Sequence, residues 1–325
     1  MLLLAQSGQE LTDAGSGTWQ VLSVYEGLTS WTIPALFLLW GMFALEEGKP
    51  HVSASLLGLA LPAFCLLVFW GAGYAVVAHL LGGGALTPGG MWSALIAAIR
   101  GNTYHHLWVL YPLIGLYLVH PVIHRFTSAA SRGEIRYFLA LCFLFASLLP
   151  LWTAFHPDSV LAAQLERLRV HLVLGWVGCY VAGWYLRHYT IGRAAEFILY
   201  LLGVLGLALT LMGHTLIGGS RELWYQYTSP NVVLTAAAFC VLFRYVLGIS
   251  EERSRRRAMN DIGAYAFGVY LIHQLWVLIF RRFGVGLLSF TPVLSVPVFA
   301  LVFFLLSLPF AWLIFLIPGV GHRLT

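Results

Sequence analysis

Histidine and arginine carry most of the chemistry that residue type and spacing reveal in this chain. His105 and His106 are adjacent, His171 and His214 each abut an apolar run, and His273 stands inside one. Imidazole titrates near neutral pH and serves as acid, base or ligand. An ionisable group at membrane depth is costly enough to count as a functional candidate, with a hydrogen-bonded interfacial histidine as its plainer meaning. The run Gly218-Gly219-Ser220-Arg221 could present an arginine to an anionic or acyl group, or could simply be a Gly turn. Trp108, Tyr111, Trp224, Tyr225 and Tyr270 lie near the same histidines. Their rings suit sugar faces, and they equally suit the aromatic belt at a membrane interface.

A second chemistry is anion binding. Arg253, Arg255, Arg256 and Arg257 form one basic cluster, and Arg125, Arg132 and Arg136 another. Arginine makes bidentate phosphate contacts, so either cluster could hold a large phosphorylated donor; the alternative is lipid-headgroup anchoring. Metal binding is poorly supported. His120 and His124 have ligand spacing but lack an acidic or cysteine companion, and Pro121 lies between them. There is no Cys-x2-Cys pair, P-loop, dinucleotide fingerprint or Gly-x-Ser-x-Gly elbow. All four cysteines sit in apolar runs, where a thiol behaves as a small hydrophobe.

The elements that must position these groups are membrane helices. Of 325 residues, 60% are apolar and 10% charged, against roughly 25% charged in a soluble domain, and mean hydropathy is +0.83. At about 20 residues per crossing, apolar runs predict about nine spans, at roughly 31–47, 54–81, 105–123, 135–153, 170–187, 194–213, 230–249, 261–281 and 293–317. The fold class is therefore all-α, a polytopic helical bundle forming one domain over residues 1–325, with residues 1–30 as an external N-terminal tail. The Gly-rich segment from Gly83 to Arg100 reads as an interfacial helix or a loop. Alternating the loops between sides puts twelve of the 18 Lys and Arg residues on one face and six on the other. The positive-inside rule then places the N-terminus outside and the C-terminus in the cytoplasm. The formal charge of +5 follows from this topology signal and points to membrane lipids rather than nucleic acid as partners.

The stretch Tyr104-His105-His106-Leu107-Trp108-Val109-Leu110-Tyr111-Pro112, continuing through Ile114-Gly115-Leu116-Tyr117-Leu118 to Pro121, resembles the acyltransferase-3 family of bacterial membrane O-acyltransferases. Three further stretches agree in order: Trp31 to Pro34 with Phe37 to Gly41, Trp224-Tyr225 with Ser229-Pro230-Asn231, and Phe267 to His273. Together the similarity covers most of the chain. It implies about ten spans with both ends cytoplasmic, so that a first span, carrying the family's signature histidine and a preceding arginine, is expected upstream of Met1. Near its place this sequence reads Leu4, Ala5, Gln6.

The resemblance further implies transfer of an acyl group, often acetyl from acetyl-CoA, to a sugar hydroxyl at the outer face of the bacterial inner membrane. A histidine would act as general base on that hydroxyl, and hydrogen-bond donors would stabilise the oxyanion. The expected catalytic set is His106, then His273 and His105. Trp108, Tyr111, Arg221, Trp224, Tyr225 and Tyr270 are expected at the acceptor, and Arg253, Arg255, Arg256, Arg257, Arg125 and Arg132 at the acyl-CoA donor. No bound cofactor or metal is expected. Two other functions fit the same spans: a non-catalytic subunit of a polysaccharide synthesis or export complex, and a transporter of lipid-linked sugar. The paired broken helices that a transporter would show are not evident.

Overall fold

A computed structural model describes residues 1–45, 56–84, 87–99, 105–168, 170–246 and 257–316. Among the described residues the chain is helical, without strands. The order is α1 (Leu2–Gln9), α2 (Gly17–Thr29), α3 (Thr32–Ala44), α4 (Leu61–Leu81) and α5 (Pro88–Ile99), then α6 (Leu110–Ala129), α7 (Arg132–Phe143), α8 (Leu149–Phe155), α9 (Val160–Leu168) and α10 (Val170–His188). The chain continues through α11 (Arg193–Leu216), α12 (Arg221–Tyr225), α13 (Pro230–Tyr245), α14 (Arg257–Arg282) and α15 (Pro292–Phe315). A π-helical turn, Leu56–Ala60, leads into α4, another, Leu144–Leu148, joins α7 to α8, and the 3-10 turn His105–Val109 leads into α6.

Among the described residues, seven helical stretches are long and apolar enough to cross a bilayer: Gly17–Ala44, Leu56–Leu81, His106–Ala129, Arg132–Phe155, Arg193–Leu216, Arg221–Tyr245 and Pro292–Phe315. Helices α10 and α14, of 19 and 26 residues, stand where the fifth and eighth spans were expected. The protein is an all-α polytopic membrane protein. Several helix starts carry the local signals that physics requires there. Ser131 and Glu134 close a reciprocal capping box on α7, satisfying two amides that the helix leaves open. Pro230 and Pro292 stand in the first turns of α13 and α15, where no amide is needed. The Gly-rich segment does contain a helix, α5, packed against α4.

The N-terminus differs most from the sequence reading. Residues 1–30, expected as a tail, contain α1 and α2, and the first crossing stretch begins at Gly17 instead of near residue 31. Leu4 and Leu22 are buried with Val296, Phe299 and Phe303 against α15, so a segment expected as an external tail is held by tertiary packing. The stretch Gly17–Ala44 joins α2 to α3 across Ser30 and Trp31, and its length suffices to span the ~30 Å hydrocarbon core with tilt.

Backbone proximity sets the centre of the bundle. A Cβ added to Gly41 of α3 would lie 1.7 Å from the Tyr180 carbonyl oxygen, and one added to Gly183 of α10 would lie 1.8 Å from that of Leu38. The two helices thus cross with backbones in contact, each through the other's glycine, as small residues allow in membranes. Helices α11 and α13 repeat the device. Gly206 faces the Asn231 carbonyl, and Gly203 faces Ala238.

Asn231, buried at the start of α13, ties this second pair together. Its amide donates to Thr210 Oγ1 at 2.8 Å and to the Trp224 carbonyl at 2.7 Å, while Ser229 Oγ donates to Asn231 Oδ1 at 2.6 Å. Asn231→Ala is expected to strand these buried partners, at about 1–3 kcal/mol. The measurement is the thermal midpoint of the detergent-solubilised protein, and an unchanged midpoint would refute the assignment.

Candidate active site

The site is built where the start of α6 meets the middle of α14. The 3-10 turn recesses His106 into the bundle, leaving it only 2% exposed. Its Nε2 lies 3.3 Å from the Leu271 carbonyl oxygen. A carbonyl only accepts, so Nε2 carries the proton in the neutral ring and Nδ1 is the basic atom. The ring sits edge-on to Tyr74 at 5.0 Å, to His273 at 5.2 Å and to Tyr270 at 6.0 Å between centroids. Tyr74 also donates to the Leu271 carbonyl, and the Tyr270 hydroxyl donates to the His106 carbonyl. His273 Nδ1 is 2.6 Å from the Tyr270 carbonyl, which by the same reasoning leaves Nε2 as its basic atom.

Two cavities reach this cluster. One of about 650 Å³ contacts His106 and continues past Gln6, Ser7, Glu10, Gln274 and Arg281. Another, of about 390 Å³, contacts His273 and Tyr270 and is otherwise mostly apolar. Sequence reasoning ranked His106 and His273 without knowing that they meet. It missed Tyr74 and Gln274. Tyr74 offered no signal within a long apolar run, whereas Gln274, a polar residue next to His273 within a span, did.

Beside the histidines lies a polar wall. Gln6 donates to Glu26 Oε1 at 2.9 Å and to the Tyr227 hydroxyl at 2.8 Å, and Trp108 stacks on Tyr227 with centroids 5.4 Å apart and planes 9° apart. Arg221 donates to Ser23 Oγ at 2.8 Å, lies 2.9 Å from His214 Nε2, and covers the Trp19 ring at 4.9 Å. The loop that delivers it turns through Gly218 and Gly219, both at positive φ, which suits residues without a Cβ.

Other predicted residues separate from this centre. Trp224 is 3% exposed; its ring presses on Gly213 and its Nε1 donates to the Gly218 carbonyl at 3.0 Å. It holds the Arg221 loop and offers no open face for stacking. Tyr225 is buried and near Ser23, with its hydroxyl 3.4 Å from Ser23 Oγ. Tyr111 is 49% exposed on α6 and lines none of these cavities.

At the opposite end of α6, Arg125 is exposed. Arg132 donates to Tyr185 and to the Thr190 carbonyl and lies over the Tyr189 ring. Arg253, Arg255, Arg256 and the side chains of His105 and Arg257 lie outside the described residues. His120 Nδ1 is 3.0 Å from the Tyr180 hydroxyl. Among the described residues, no three His, Cys, Asp or Glu side chains converge as metal ligands would.

Fold and site define a polytopic helical membrane protein with a buried His–Tyr centre bordered by a partly open cavity. The sequence model of the acyltransferase-3 family, described as an acyltransferase domain, matches residues 6–316, and the chain belongs to that family. No curated protein and no solved structure matches it.

Proposed function

We propose that this membrane acyltransferase moves an acyl group, acetyl in the simplest case, from a CoA thioester to a hydroxyl of a cell-surface or lipid-linked glycan. The observation that carries the reading is the His106–His273 pair, 5.2 Å between ring centroids, with cavities reaching both rings. The acceptor oxygen attacks the thioester carbonyl while its proton passes to Nδ1 of His106. The tetrahedral intermediate collapses with loss of the CoA thiolate, which takes up the proton. The Nε2–H bond to Leu271 holds the ring and stabilises the imidazolium that forms.

In this reading the protein sits in the bacterial inner membrane, with the histidine end outward and the C-terminus cytoplasmic. Arg125, Arg132 and the Arg253 to Arg257 cluster then face the CoA phosphates, and lipid headgroups and a polysaccharide-synthesis complex are the surroundings. The excess of basic residues on that side supports the orientation.

The test is mass spectrometry of surface glycans from a deletion strain and its complemented parent. Loss of one O-linked acyl group, restored on complementation, is the expected result. Identical glycan spectra would overturn the reading.

A further inference from the structure

The polar wall borders a third cavity, of about 260 Å³ and partly open, between α1, α2 and α12. It lies next to the chamber of His106, and Gln6 borders both. Its chemistry is asymmetric. The one cation among its described lining residues, Arg221, is committed to Ser23, His214 and the face of Trp19. The two carboxylates, Glu26 and Glu222, both line the space. Glu26 accepts from Gln6 through Oε1, and Oε2 has no hydrogen-bond partner among the described residues. The Gln9 amide nitrogen is buried without a partner. The open acceptor of Glu26 beside the rings of Trp19 and Tyr227 is what a sugar hydroxyl satisfies, since each hydroxyl has a hydrogen to give. One committed cation against two carboxylates leaves the cavity at a formal charge of −1, which repels a carboxylate or phosphate on the ligand.

We infer that this cavity is a docking subsite for a neutral sugar unit of the acceptor, which Glu26 holds through its hydroxyls, and that it discriminates against uronic and phosphorylated sugars. The inference rests on the glycan-acceptor reading above and adds the class of sugar.

The experiment is saturation-transfer NMR on the full chain in detergent, with maltotriose as the neutral probe and trigalacturonic acid as the acidic one. Wild-type protein binds maltotriose and excludes trigalacturonate. Glu26→Gln weakens maltotriose about tenfold, the size of one charge-assisted hydrogen bond. Glu26→Gln with Glu222→Gln admits trigalacturonate. That gain of binding separates lost repulsion from simple unfolding. Stronger binding of trigalacturonate by the wild type, or maltotriose binding unaffected by Glu26→Gln, overturns the inference.

The deletion strain tells the two levels apart. An acyl group lost from a glycan built only of acidic sugars keeps the acyltransferase reading and removes this subsite. Unchanged glycans remove the function itself.

Discussion

Replacing His106 by alanine is expected to abolish glycan acylation while the amount of protein in the membrane stays constant. General-base catalysis contributes about 10²–10⁴ in rate, so product should fall at least about a hundredfold. His106 also fills space between Tyr74, Tyr270 and His273, and the alanine variant leaves a hole there. His106→Gln therefore belongs in the same experiment. It keeps most of the volume and can still donate to the Leu271 carbonyl, yet it has no basic nitrogen. The readouts are the acyl mass on purified glycan and the membrane abundance of a fluorescently tagged protein. Inactivity of both variants at normal abundance is the expected outcome, and full acylation by His106→Gln would exclude His106 as the base.

The largest expected structural effect is at the crossing of α3 and α10. Gly183→Ala puts a methyl 1.8 Å from the Leu38 carbonyl oxygen, and Gly41→Ala puts one 1.7 Å from that of Tyr180. Ordinary contact needs roughly twice that distance, so the helices must separate. Overpacking of this kind costs about 1–3 kcal/mol or more. Here the separation also disturbs the stack of Phe37 on Trp176, 4.1 Å between centroids, in the same core. Each variant should lower the thermal midpoint sharply and shift size-exclusion profiles toward aggregate. The double variant should cost less than the sum, because one displacement of the helices relieves both clashes. Full additivity would show that the two glycines do not share one interface.

Much of this was legible in the chain because the signals are local. Apolar runs of crossing length located the spans, since a bilayer satisfies no backbone group and each crossing must be a complete helix. The Ser131–Glu134 capping box and the prolines opening α13 and α15 are likewise local in origin. The motifs in order around His106, Asn231 and His273 were enough to point to the acyltransferase-3 family, which the match over residues 6–316 establishes. The structure adds physical reasons for two of those motif residues. Gly41 admits the backbone of α10, and Asn231 bonds α11, the Trp224 carbonyl and Ser229 together.

The sequence by itself thus determined the helical class, the approximate spans and the set of candidate histidines. Only the tertiary structure decided which of them meet. His106 and His273 are separated by more than 160 residues, and the Leu271 carbonyl fixes the His106 tautomer across that gap. Residues 1–30 are folded instead of forming a tail because α15 and α2 supply the apolar partners that α1 lacks on its own. Trp224 is a packing residue because Gly213, eleven positions earlier, leaves room for its ring. Hydropathy reports each residue's preference for lipid over water. It contains nothing about which faces of which helices meet, and that is what separates a membrane-belt aromatic from the wall of a site.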